Sequence, residues 1–169
     1  MLKQILLPNR FKLVGWILLV PSAILGFMLM LSDLESKLKI NSKVFALYND
    51  VKTWPEWDLD VLAVSLPQGL VAGTKGWLKP KSGPKVTMHV SEVTQNASFT
   101  TSSQLPLCTM EVTHQITPNL DGVNVAHEAF FSGPLAPLFR KLIGQPYRQT
   151  LPDVLKALKA KAEGTGQLD

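Results

Sequence analysis

The chain has 169 residues, a formal net charge of +4 and a single cysteine, Cys108. This length is sufficient for one domain with a substantial core, and a lone cysteine excludes an internal disulfide and any cysteine-based metal cluster. The lysines are scattered and no nucleic-acid-binding motif accompanies them, so the positive charge does not indicate a nucleic-acid partner. We expect one folded domain with an N-terminal appendage and no cofactor.

An uncharged apolar segment runs from Leu13 to Leu31. As a helix it would be about 28 Å long, which is the thickness of a hydrocarbon core. It therefore predicts one membrane-spanning helix, with residues 1–33 as the anchor. A cleaved signal peptide that ends near Ala23 is the alternative. The hydrophobic run continues beyond that position, which favours an uncleaved anchor.

The charges nearest to this segment predict its orientation. Arg10 and Lys12 precede it, whereas Asp33 and Glu35 follow it. Positively charged residues flank membrane helices preferentially on the cytoplasmic side. We therefore expect a single-pass membrane protein with its N-terminus in the cytoplasm and its domain outside.

Residues 34–163 are predicted to form the folded domain. The alternating stretch Leu34–Ile40 predicts a short strand. Apolar residues between positions 44 and 51 recur at helical spacing and predict a short amphipathic helix. Pro55 is suited to the first turn of a second helix, and it bends the chain between Trp54 and Trp57. Two large aromatic rings thus lie at one corner.

A series of strands follows, each separated from the next by proline, glycine, asparagine or aspartate. These residues are typical of turns. Because the connections are short, consecutive strands should pair antiparallel as a meander. The predicted strands are Val61–Leu66, Val71–Lys79, Val86–Thr94, Ser98–Leu105, Thr109–Thr117 and Val123–Phe131.

The last segment, from Leu135 to about Glu163, predicts a long amphipathic helix. Its apolar stripe contains Leu138, Leu142, Leu151, Leu155 and Leu158. Gly144, Pro146 and Pro152 should bend or interrupt the first half of this helix, because each proline lacks a backbone donor. Residues 164–169 are predicted to be a flexible tail.

Several short motifs resemble one known superfamily. They are the corner from Trp54 to Trp57, Leu105-Pro106 before a strand, Asp121-Gly122-Val123 at the start of another, and Ser132–Leu138 before the last helix. Together they resemble the polyketide cyclase/dehydrase and lipid-transport branch of the START-like (SRPBCC) superfamily. The order of elements and this resemblance imply an α+β helix-grip fold, in which a curved antiparallel sheet wraps a long C-terminal helix around a cavity.

Alternation along the strands predicts which side chains face that cavity. His114 and His127 fall opposite each other on the inward face of one hairpin, where at least one imidazole should stay neutral because burial disfavours the charge. A metal site would need a third ligand, which no inward carboxylate supplies. The predicted lining consists of Trp54, Trp57, Met88, Val90, Thr101, Ser103, Met110, Val112, His114, Val125, His127, Leu138, Leu142 and Leu155.

Three functions are compatible with these features. The first is a membrane-tethered domain that binds a hydrophobic small molecule or a lipid in its cavity. The second, implied only by the resemblance, is a cyclase- or dehydratase-type enzyme that acts on an apolar or polyketide-like substrate, with His114 and His127 as candidate acid–base groups. The third is a chaperone-like interaction module for membrane neighbours, in which the groove accepts a peptide or the cavity is simply filled. An open pocket would favour the first two, and a filled core would favour the third.

Overall fold

The structure is a computed structural model that describes residues 28–32, 34–36, 39–120 and 122–164. The chain divides into two units, Met1–Leu38 and Lys39–Asp169. Residues 13–27 of the predicted membrane segment lie outside the described residues, and so do residues 165–169 of the predicted tail. No helix in the described ranges is long and apolar enough to cross a bilayer.

The start of the predicted domain is helical. Residues 34–36 and 39–40 are helical, so the predicted strand Leu34–Ile40 is wrong. This stretch is rich in leucine, lysine and glutamate, which favour helices, and alternation over so few residues also matches the i, i+4 spacing of a helix. Helix α1, residues 39–49, buries Val44, Phe45 and Tyr48.

A short connection leads from α1 to the tryptophan corner. Val51–Thr53 forms a single turn of 3-10 helix, and helix α2 follows at Trp54–Trp57 with Pro55 in its first turn, as predicted. The Trp54 indole N–H donates to the Tyr48 carbonyl at 2.8 Å. This bond fastens α2 to the end of α1.

The remaining strands form one antiparallel sheet in the order β1 to β6 along the chain. This confirms the predicted meander, and most boundaries agree within two residues. The predicted strand Val71–Lys79 begins later, at Lys75, because residues 72–73 form a turn with Gly73 at positive φ. The strands are β1 Val61–Ser65, β2 Lys75–Pro80, β3 Val86–Thr94, β4 Ser98–Leu105, β5 Cys108–Asn119 and β6 Gly122–Ser132.

The C-terminal helical segment consists of three pieces. Helix α3 spans Ala136–Phe139, a π-helical turn spans Arg140–Gly144, and helix α4 spans Gln145–Glu163. The change from the π turn to α4 occurs at Gly144 and Gln145, next to Pro146, where the sequence predicted a bend or an interruption. Pro152 lies inside α4 without ending it.

The predicted inward position of Leu138 and Leu142 is wrong. Their side chains are 48% and 59% exposed. Phe139 and Ile143 instead pack against a small core of Cys108, Phe131 and Ala136. A π turn has a wider period than an α-helix, so an apolar stripe calculated at 3.6 residues per turn does not continue through it.

The main core lies between the inner face of the sheet and the helices. Tyr48, Trp57, Val90, Phe99, Val154 and Leu158 are its most deeply buried side chains. Val154 and Leu158 are one turn apart on α4, so a single face of this helix covers the sheet. The helices and the sheet thus surround a densely packed centre.

Candidate functional site

The two histidines lie side by side beneath the last helix. His114 on β5 pairs with His127 on β6 in the sheet register, as predicted. Their ring centroids are 4.3 Å apart, with the planes nearly perpendicular. The period of two along each strand therefore located both rings correctly.

His127 is held between two tyrosine hydroxyl groups. Its Nε2 lies 2.7 Å from the Tyr48 hydroxyl, and its Nδ1 lies 3.0 Å from the Tyr147 hydroxyl. A neutral imidazole has one donor and one acceptor, and a hydroxyl can take either role, so both bonds form in either tautomer. The chain Tyr48–His127–Tyr147 links α1, β6 and α4.

His114 is buried more deeply than His127. Its ring stacks on Phe99, with the centroids 4.1 Å apart and the planes 6° from parallel. Its Nδ1 is buried and has no hydrogen-bond partner among the described residues. Burial, reinforced by the neighbouring His127, keeps the pKa of His114 well below its usual value.

Burial also sets the charge state of the other groups in this cluster. It lowers the pKa of His127 to about 4, and it raises the pKa values of Tyr48 and Tyr147 above the ordinary tyrosine range. Asp58 lies near both tyrosines, and burial raises its pKa to about 6. At neutral pH both imidazoles and both phenols are therefore uncharged, whereas Asp58 is mostly ionised.

A second polar connection ties the start of β1 to α4. The Asp60 backbone N–H donates to Asp58 Oδ1 at 3.0 Å. The Thr150 hydroxyl donates to Asp60 Oδ2, one turn after Tyr147 on α4. The Thr150–Asp60 bond thus connects the start of β1 with α4, three residues after the Tyr147 that contacts His127.

An open cavity of about 580 Å³ lies beyond this cluster, between the N-terminal half of α1, the β5–β6 turn and the C-terminal half of α4. Its position relative to the histidines follows from three elements. Val44 precedes Tyr48 by one helical turn, Val125 precedes His127 by two residues on the same face of β6, and Leu158 follows Val154 by one turn. The lining residues are Ile40, Lys43, Val44, Asn119, Gly122, Val123, Val125, Leu155, Leu158, Lys159, Ala162 and Glu163.

The structure separates the residues that were predicted to line one cavity. Of these, Val125 and Leu155 line the open cavity. Ser103, Met110 and Val112 are partly buried and do not contribute to it. The predicted lining residues that lie in the packed interior, each at most 8% exposed, are Trp54, Trp57, Met88, Val90, Thr101 and His114.

The tryptophan corner is packed rather than open. The Trp54 and Trp57 side chains are 4% and 2% exposed, and Tyr48 contacts the Trp57 ring edge-on at 5.5 Å. Neither tryptophan lines the open cavity, whose lining includes Lys43 and Lys159. The aromatic pair supports the interior from one side.

The polar roles of Tyr48, Asp58 and Tyr147 were not among the predictions from the sequence. Tyr48 belongs to the apolar helical face between positions 44 and 51, although its hydroxyl requires a partner when it is buried. Asp58 directly follows the tryptophan pair, and Tyr147 follows Pro146 at the start of α4. A tyrosine on the inward face of a helix was the available signal, and only the packing of helices on the sheet identifies its partner.

Comparison with solved structures gives the class of the domain. It matches protein MLL2253 from Mesorhizobium loti with a TM-score of 0.60 at 17% identity, over 75% of this chain and 90% of that one. Protein NE0264 from Nitrosomonas europaea matches with a TM-score of 0.55 at 13% identity, over 72% and 88%. No protein-family model and no curated protein matches the sequence.

A third match carries a descriptive name. The di-domain ARO/CYC StfQ from the steffimycin biosynthetic pathway matches with a TM-score of 0.55 at 16% identity, over 74% of this chain and 47% of that one. The domain is therefore an α+β helix-grip domain. It shares this fold with the three solved proteins above, one of which is named ARO/CYC. At these identities the likeness is one of fold and not of activity.

Proposed function

We propose that this domain binds an apolar small molecule or a lipid in the cavity beside the C-terminal half of α4. The observation that carries the proposal is the cavity itself, whose volume of about 580 Å³ lies within the range of small-molecule sites. Its walls include Val44, Val123, Val125, Leu155 and Leu158. An apolar ligand would remove these side chains from water, at roughly 25 cal/mol for each Å² covered.

The polar cluster supports binding better than catalysis. Both ring nitrogens of His127 already contact hydroxyl groups, and His114 is stacked beneath Phe99 in the core. A general acid or base must reach the proton that it transfers. A cyclase or dehydratase mechanism would require a rearrangement of this cluster, whereas binding in the adjacent cavity requires none.

We expect Ala162→Phe, which places a ring in the cavity, to weaken the binding of a lipophilic fluorescent probe at least tenfold, about 1.4 kcal/mol. The matched control is Ala126→Phe, because Ala126 is exposed on the outer face of β6 next to Val125. Fluorescence titration of the full-length protein measures both. Absence of saturable binding to the unmodified protein would overturn the proposal and favour the interaction module.

We also propose that the segment Leu13–Leu31 anchors this domain in a membrane, with the domain on the side opposite to the cytoplasm. The support is its uncharged sequence of spanning length and the charges at its two ends. We expect the full-length protein to stay with the membrane fraction in alkaline carbonate, and its N-terminus to begin before Leu13. Release by carbonate, or a mature N-terminus near Ala23, would contradict an uncleaved anchor.

A further inference from the structure

The mouth of the cavity carries a group of charged side chains, whereas its walls are apolar. Lys43 on α1 and Lys159 on α4 line it as cations, and Glu163 is the single anion. These three charged side chains come from two different helices, α1 and α4. The local balance at the mouth is therefore positive.

The two lysines differ in their existing partners. Lys159 Nζ lies 3.8 Å from Glu163 Oε1, and these side chains are 73% and 55% exposed. Such an exposed pair contributes little and is readily exchanged for another partner. Lys43 is exposed and forms no ion pair with any residue in the described part of the chain. Both ammonium groups are thus available to an anion.

Apolar residues of α4 line the cavity on both sides of Lys159. They extend from Leu155 to Ala162, a distance of about 10 Å along the helix axis. Val123 and Val125 form the opposite wall on β6. A ligand that fits this arrangement has an apolar tail for the walls and a negative charge at one end for the mouth.

We infer that the ligand is a single-chain amphiphile with an anionic head group, whose tail occupies the cavity and whose head lies between Lys43 and Lys159. This inference rests on the proposed function and narrows its class of ligand. A cationic head would be repelled by both lysines. A neutral head would bind by the tail alone and gain nothing from the mouth.

The test compares three ligands that share one alkyl chain, by calorimetric titration of the full-length protein. They are decanoate, decanol and decyltrimethylammonium. We expect decanoate to bind about three- to tenfold more tightly than decanol, the scale of a partly exposed ion pair, and the cation to bind more weakly than decanol. Raising the salt concentration should reduce the preference for decanoate, because exposed charges are screened.

Three variants test the residues. The double substitution Lys43→Gln and Lys159→Gln should bring the affinity for decanoate down to that for decanol and leave decanol unchanged. Lys156→Gln is the matched control, because Lys156 is exposed on α4 and does not line the cavity. Glu163→Gln removes the carboxylate that competes for Lys159. It should increase the preference for decanoate over decanol by about two- to threefold.

The outcomes separate the two proposals. If decanol binds as tightly as decanoate, or if the preference survives in the double variant, the anionic class is wrong while the apolar binding site stands. If none of the three ligands binds, the proposed function fails and this inference fails with it.

Discussion

Replacement of Tyr48 by alanine is expected to lower the free energy of unfolding by about 3–5 kcal/mol, the usual cost of removing a large buried aromatic side chain. Tyr48 is 1% exposed, and its ring contacts Trp57, Phe99, His114 and His127 at centroid distances of 5.1–5.8 Å. Tyr48 thereby joins the tryptophan corner to both histidines. Urea unfolding, followed by tryptophan fluorescence, measures the loss.

A second variant at this position separates the hydroxyl group from the ring, and a variant elsewhere serves as the control. Tyr48→Phe keeps the ring and leaves His127 Nε2 without its hydroxyl partner, so we expect a loss of about 1–3 kcal/mol. Phe130→Ala is the control, because Phe130 is 60% exposed on the outer face of β6 and should change stability by no more than about 0.5 kcal/mol. A loss for Tyr48→Ala no greater than that for Phe130→Ala would show that the core does not depend on this ring.

Acidification from pH 7 to pH 5 is expected to destabilise the domain through its buried histidines. Burial lowers the pKa of His127 in the folded state to about 4, and it lowers the pKa of His114 as well. In the unfolded chain both titrate near 6.5, so below that pH the unfolded state binds more protons than the folded state. Stability therefore falls as the pH falls, and His127 alone accounts for about 2 kcal/mol at pH 5.

Asp58 acts in the opposite direction. Its folded pKa of about 6 exceeds the unfolded value of 3.8, so its contribution is fully present below 3.8 and is lost as the pH rises through 6. At pH 5 it offsets about 1 kcal/mol of the loss from the histidines. Because two histidines oppose one carboxylate, the net change on acidification is destabilising.

The signs of these contributions can be measured separately. His127→Gln, which can still bond to both tyrosines, should make the loss between pH 7 and pH 5 shallower by about 2 kcal/mol. Asp58→Asn should make it steeper by about 1 kcal/mol. Urea unfolding at several pH values tests both variants. Equal pH dependence in the wild type and in His127→Gln would contradict the burial of a neutral imidazole at this position.

The polar cluster and the cavity have separate roles. Tyr48, His127 and Tyr147 fasten two helices to the sheet through hydrogen bonds. The cavity begins one helical turn and two strand residues away, at Val44 and Val125. Substitutions in the cluster should therefore change stability first, and substitutions in the cavity should change ligand affinity first.

The sheet could be predicted from the sequence because its determinants are local. Turn residues such as Pro67, Gly83 and Asn96 separate the strands, and the period of two placed His114 opposite His127 without any knowledge of the helices. The same alternation of apolar and polar residues led to a wrong prediction of a strand at Leu34–Ile40. In that short stretch helix-forming residues also alternate with polar ones, and the helical preference prevailed.

The site itself depended on tertiary structure. The sequence by itself determined that an apolar sheet face and a long apolar helix would meet, and that two histidines would lie between them. Only the tertiary structure decided that Tyr48 and Tyr147 would bond to His127, because that requires the placement of two helices on the sheet. It also decided that Leu138 and Leu142 would be exposed, since the π turn shifts the phase of the helix, and that Lys43 and Lys159 would meet at one opening. Packing between distant segments sets which faces touch, and hydrophobic periodicity within one segment does not contain that information.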